Sequence, residues 1–298
     1  MTSTDRIGQI RWREGFREIR RNAYVAPWKG LGLWLRHRGT PYQNVPPSQW
    51  ASYKKSDTVF IIGSGPSIER LTPADWQHIR QHDTFGINYS FVKGIPTTYH
   101  LFAYEPKTAS GDVAGTFRDV FTPDLRKLYS NTLWFLPSKA IFRMVHPRIL
   151  PDYFPEHPKV GIFHLPNPVR LESDRPFKAE DFSTSLSYRG SIGLVMTLID
   201  RLAYRRIVLL GVDPQTAQHF VYQHPALQDE AKKYYSISDP KGQFESMTPK
   251  KAHYRTIVEY YIALRELYFQ PKGVQLYMGV ENPLLTPRIP IYPGGLHS

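Results

Sequence analysis

The chain has 298 residues and a formal charge of +12, with 41% hydrophobic residues and no cysteine. That is enough chain and apolar content for one large or two small domains with a real core. Disulfides and thiolate metal sites are excluded, and the charge favours an anionic partner: nucleotide, nucleic acid, anionic lipid or phosphorylated glycan.

No apolar run approaches the ~20 residues of a membrane-crossing helix, and the start lacks the apolar core of a signal peptide. The absence of cysteine fits a reducing compartment. Residues 1–56 read as a basic extension and linker. In the first forty, nine Lys and Arg face only Asp5, Glu14 and Glu18. Ile7, Ile10, Phe16 and Ile19 are spaced for one helical face, and Trp28, Leu31, Leu33, Trp34 and Leu35 form an aromatic-rich cluster. Basic residues beside Trp and Leu suit an anionic membrane surface; the plainer reading is an arm docked on the body. Pro41, Pro46 and Pro47 mark the linker.

The body, residues 57–298, opens with Thr58-Val-Phe-Ile-Ile, a buried parallel strand by its pattern. It runs into Gly63-Ser64-Gly65-Pro66-Ser67. Glycines permit a sharp turn and close backbone approach, Ser67 is a candidate N-cap, and free N–H groups above the sheet would suit a phosphate. The loop is neither G-x-G-x-x-G nor a P-loop, and an ordinary strand-to-helix connection explains it equally well. Thr72-Pro73-Ala74-Asp75 is a helix start. Strands are expected at 84–88, 99–105, 133–136 and 160–164. The first two end at Asn88 and Glu105, placing polar groups where open α/β sheets bind ligands.

Residues 165–185 read as a loop. Gly190-Ser191 leads into an apolar helix to Leu202, and Arg206-Ile-Val-Leu-Leu-Gly-Val-Asp213 is the clearest strand. Asp213 reads as a structural carboxylate at a strand end. Residues 214–248 hold His219, Tyr222, His224 and Tyr234 and suit a lid or a surface loop. A helix over 250–269 and a strand over 274–278 close the body. Alternating strands and helices predict a Rossmann-like three-layer α/β sandwich with a mostly parallel sheet.

Three pieces together resemble the bacterial sialyltransferases of glycosyltransferase family 42 and their relatives that transfer Kdo in lipopolysaccharide core assembly. They are Ile62-Gly-Ser-Gly-Pro-Ser67; Gly190-Ser191 with the helix and the strand Ile207–Asp213; and Gln275-Leu-Tyr-Met with Asn282-Pro-Leu-Leu285. Order and spacing agree over about residues 58–286. The resemblance implies a GT-A-type fold, a CMP-activated sugar as donor, a glycan or glycolipid acceptor, and no metal or other cofactor. Position by position, Gly63, Ser64, Gly65, Pro66, Ser67, Asn88, Arg189, Gly190 and Ser191 would line the donor site. Glu105 stands where the family often has asparagine, and Arg189 is offset by one residue, so both departures weaken those contacts. His253 matches the catalytic histidine, with His219 and His224 as alternates; Tyr222 and Tyr234 would touch phosphate or acceptor. By itself any one histidine is more often a packing or surface residue.

The reading is thus an enzyme moving sialic acid or Kdo from CMP to a cell-surface glycan or lipopolysaccharide. It would work in the cytoplasm, peripherally at the inner face of the membrane, as a monomer or homo-oligomer. Competing readings are a metal- and ATP-dependent pyrophosphokinase and a non-catalytic Rossmann-like membrane adaptor. The lack of an Asp-x-Asp motif counts against the first. A nucleic-acid groove is not expected, because half the net charge lies in the first forty residues.

Overall fold

The structure is a computed structural model. It describes residues 42–103, 120–137, 158–163, 169, 175–183, 185–188, 190–215, 223–227 and 256–296. Residues 1–41 form a unit of their own, outside the described residues. The membrane expectation for the arm therefore stays an expectation.

Eight strands form one sheet: β1 (Gln43–Asn44), β2 (Thr58–Ile62), β3 (Asp83–Ile87), β4 (Tyr99–Leu101), β5 (Leu133–Pro137), β6 (Lys159–Phe163), β7 (Arg206–Leu210) and β8 (Gln275–Met278). Their order is β1-β6-β5-β4-β3-β2-β7-β8, and every pairing is parallel. Four α-helices are described: α1 (Pro73–Ile79), α2 (Pro123–Leu128), α3 (Gly190–Arg201) and α4 (Ile257–Ala263).

Strand side chains alternate between the two faces, so each strand feeds two cores. Val59, Ile61, Phe85, Tyr99, Phe135, Ile207 and Leu209 pack on one face with Val195, Met196 and Ile199 of α3 and Tyr260 of α4. Phe60, Ile62, Trp134, Val208 and Leu210 pack on the other with Ile68, Ile79 of α1, Phe91 and Tyr129. This is the expected three-layer sandwich. Local sequence sets the helix starts. Thr72 caps α1 by accepting from Asp75 N, while Asp75 accepts from the Thr72 N–H at 2.7 Å. That reciprocal pair satisfies two first-turn donors. Thr256 and Glu259 do the same for α4.

The two-sided arrangement fixes where a ligand belongs. From β2 the chain moves through β3, β4, β5 and β6 in one direction, then returns to β7 on the other side of β2. Right-handed crossovers running in opposite directions lie on opposite faces. The crevice between β2 and β7, at their carboxyl ends, is the topological switch point.

One expectation needs correcting. Residues 1–56 were expected to be an extension and linker, but within them β1 pairs with β6, and Trp50 is buried. The Trp50 indole donates to the Val45 carbonyl at 2.9 Å and meets the Phe135 ring edge-on at 4.8 Å. The prolines there set a short 3₁₀ turn at Pro47–Tyr53 instead of breaking structure. The body therefore begins at Tyr42.

Candidate functional site

The glycine loop leaves β2 at the switch point, but its backbone is already engaged. Gly63 N donates to the Leu210 carbonyl at 2.9 Å and Gly65 N to the Gly211 carbonyl at 2.8 Å. Ser67 N donates to Asp213 Oδ2 at 2.7 Å. These donors therefore hold the β7 end and are not turned to a ligand. The glycines serve close packing: a Cβ on Gly63 would sit 2.4 Å from the Gly211 oxygen, and one on Gly65 2.4 Å from Asp213 Oδ2. The following turn, Pro66–Arg70, is a 3₁₀ turn that begins at Gly65 with no side-chain cap. Ser67 is therefore inside the turn and does not cap it, a correction to the sequence reading.

Asp213 is the organiser of this end of the sheet. Besides the Ser67 N–H, its other oxygen lies 3.4 Å from Asn282 Nδ2. Asn282 is 1% exposed. Its amide also donates to Gln215 Oε1 at 2.8 Å, and its Oδ1 accepts from Leu284 N and Leu285 N. Asn282-Pro-Leu-Leu is thus an Asx turn locking the β8 end to the β7 end. The structural role expected for Asp213 matches this geometry.

The next strand over carries a different arrangement. Asn88 follows β3 directly and has φ 49°, a left-handed conformation that non-glycine residues adopt rarely and that clusters at functional sites. Its Oδ1 accepts from Ala103 N at the end of β4 at 3.0 Å. Its Nδ2 donates to Ser191 Oγ at 3.0 Å, across a sequence separation of 103. Two predicted site residues are thus joined. Ser191 stands in the first turn of α3, where N–H groups and the helix dipole favour negative charge. Gly190 begins that helix at φ 68°, with open space where a side chain would be. The positive φ, not the space, is what favours glycine there. Among the described residues, no acceptor is found for the Ser191 hydroxyl hydrogen or the second Asn88 amide hydrogen, and both side chains are half-buried. Two hydrogen-bond donors and a helix N-terminus therefore converge beside the switch point, a chemistry that holds an anion.

Beneath Asn88 lies His100 of β4, absent from the expected site residues. It is fully buried, and its Nε2 lies 2.7 Å from the Asn88 carbonyl. A carbonyl only accepts, so Nε2 carries the proton and Nδ1 accepts from Thr97 Oγ1 at 3.4 Å. Burial pushes its pKa down to about 4, against the opposing effect of the Asn88 hydrogen bond. The unfolded imidazole binds a proton below about pH 6.5 and the folded one does not, so stability falls as pH drops from about 6.5 toward 4. The expected loss is about 2 kcal/mol by pH 5. Urea midpoints of wild type at pH 7 and pH 5 check this against His100→Gln, which has no proton to gain and should lose less.

His253, Glu105, Arg189, Tyr222, Tyr234 and His219 lie outside the described residues. His224 precedes a short turn at Pro225–Leu227, whose Leu227 is buried in a core cluster.

No model of a known protein family matches the sequence, and no curated protein sequence does. Among solved structures, the chain is similar to the sialyltransferase CstII from Campylobacter jejuni in complex with the substrate analogue CMP-3FNeuAc. Identity is 16%, coverage 81% of this chain and 87% of that one, and the TM-score 0.41. It is also similar to the monofunctional alpha-2,3-sialyltransferase Cst-I from Campylobacter jejuni, at 16% identity, 81% and 82% coverage, and TM-score 0.44. A third is CST-II in complex with a trisaccharide acceptor and CMP, at 15% identity, 81% and 88% coverage, and TM-score 0.39. At these TM-scores the likenesses carry no argument about activity.

Proposed function

We propose that the protein is a glycosyltransferase that moves an ulosonic sugar, sialic acid or Kdo, from a CMP donor to a glycan or lipopolysaccharide acceptor. One observation carries the reading. Asn88 and Ser191, assigned to the donor side by the resemblance and far apart in the chain, meet at 3.0 Å beside the switch point. Around them the glycine loop, the β7 end and the Asn282 turn are tied into one edge through Asp213.

CMP leaves as a phosphate monoester, and an ulosonic sugar carries a carboxylate, so the donor presents two anions. The Ser191 hydroxyl, the Asn88 amide and the α3 N-terminus supply donors for one of them, most effectively as charge grows on the leaving phosphate. The acceptor hydroxyl oxygen bonds to the anomeric carbon as the bond from that carbon to the phosphate oxygen breaks. The acceptor proton passes to a base, which the resemblance assigns to His253. Glu105 and Arg189 complete the proposed donor site beside the glycine loop, whose Gly63, Gly65 and Ser67 N–H groups hold the β7 end, and Tyr222 and Tyr234 the acceptor side. No metal is required in this scheme, since no Asp-x-Asp motif occurs. The basic arm would hold the enzyme at an anionic membrane face; no helix among the described residues is long and apolar enough to cross a membrane.

The test is turnover across a donor panel. CMP-sialic acid or CMP-Kdo should release CMP in the presence of a glycan acceptor, at an EDTA-insensitive rate. Turnover with only UDP- or GDP-sugars would overturn the reading. So would complete loss in EDTA restored by Mg²⁺ or Mn²⁺.

A further inference from the structure

We propose that His100 is a positioning residue for this site: its buried imidazole captures the Asn88 carbonyl and so aims the Asn88 amide at Ser191. The imidazole is fully buried, so it acts only through Asn88. Asn88 holds a left-handed φ of 49° while its side chain reaches Ala103 N and Ser191 Oγ together. Such a conformation persists only when its surroundings over-determine it. The two side-chain bonds fix one end of the residue, and the 2.7 Å bond from His100 Nε2 fixes the peptide carbonyl.

The imidazole itself has little freedom. Its ring centroid lies 4.6 Å from the Trp134 ring and 5.9 Å from those of Phe91 and Tyr129. Gly86 of β3 lies against Nδ1, where a Cβ would approach to 2.3 Å. Among the described residues, Thr97 Oγ1, the Tyr129 phenol and the Trp134 indole are polar side chains nearby. In this cage only the tautomer with hydrogen on Nε2 serves the carbonyl. A phenylalanine would fill the space and remove the donor. A glutamine places an amide nitrogen where Nε2 sits, whereas asparagine places it nearer Nδ1.

What the Asn88 amide binds rests on the proposed function, but its orientation can be read without any ligand. In ¹⁵N–¹H spectra of the full chain, the Asn88 side-chain NH₂ pair should be shifted and exchange-protected in wild type. It should become solvent-averaged in His100→Phe and His100→Asn and return in His100→Gln. CMP affinity should follow the same order, falling roughly tenfold in the first two variants through lost orientation. An unchanged Asn88 signal in folded His100→Phe overturns the proposal. Where that variant does not fold, the wild-type imidazole decides: Nε2 protonated and neutral at pH 7 supports it, and an Nδ1–H tautomer overturns it. Wild type that shows the ordered amide but binds no CMP would keep the positioning role and defeat the donor reading instead.

Discussion

His253→Ala should lower turnover by about 10² to 10⁴, the usual cost of losing a general base. The acceptor hydroxyl is a poor nucleophile until its proton has a destination. A neutral imidazole with a pKa of about 6.5 is the side chain suited to take it near pH 7. His253 lies outside the described residues, and its assignment comes from the resemblance to the family 42 sialyltransferases. CMP affinity should stay close to wild type in the variant, because the histidine would face the acceptor. The acid limb of the pH–rate profile should vanish. Turnover near wild type would transfer the role to His219 or His224; loss of CMP binding together with activity would make His253 a donor ligand.

Gly65→Val should cost about 3 kcal/mol or more of stability, from overpacking together with a disrupted buried hydrogen bond. From sequence, a side chain at Gly65 would block a phosphate and leave the fold intact. The geometry gives a different result. The new Cβ would lie 2.4 Å from Asp213 Oδ2 and 2.8 Å from the Gly211 oxygen, one of them backbone. Relief requires Asp213 to move, which releases Ser67 N and strains the Asn282 turn. The urea midpoint should therefore drop, and any loss of CMP binding should accompany it. A variant with an unchanged midpoint that fails to bind CMP would return the phosphate to the glycine loop.

Most of the sheet was legible because parallel strands buried on both faces read as continuous apolar runs. Thr58–Ile62, Leu133–Pro137 and Arg206–Leu210 all announced themselves in that way. The short edge strand Gln43–Asn44 did not. Two polar residues flanked by prolines look like linker, and only pairing with β6 gives them a role. Asn88 and Ser191 were each legible as polar groups at the ends of elements, but their contact depends on packing α3 against β3. The glycine loop misled for a physical reason. Glycine serves close approach of any partner, and a neighbouring strand leaves the same sequence mark as a phosphate. His100 left a fainter signal: a histidine inside a strand that is otherwise apolar and aromatic needs a buried partner, and only the fold shows that the partner is the Asn88 carbonyl.

The central claim is that the Asn88–Ser191 pair binds a cytidine nucleotide. Calorimetric titration of CMP into wild type, Asn88→Gly and Ser191→Ala tests it most directly. Glycine accepts the φ of 49° at position 88 without strain, so that variant removes the amide and keeps the backbone. The account predicts CMP binding to wild type in preference to UMP, GMP and AMP, weakened about tenfold or more in each variant, at least ~1.4 kcal/mol. Wild-type affinity for CMP in both variants, or no binding of CMP by the wild-type protein, would contradict it.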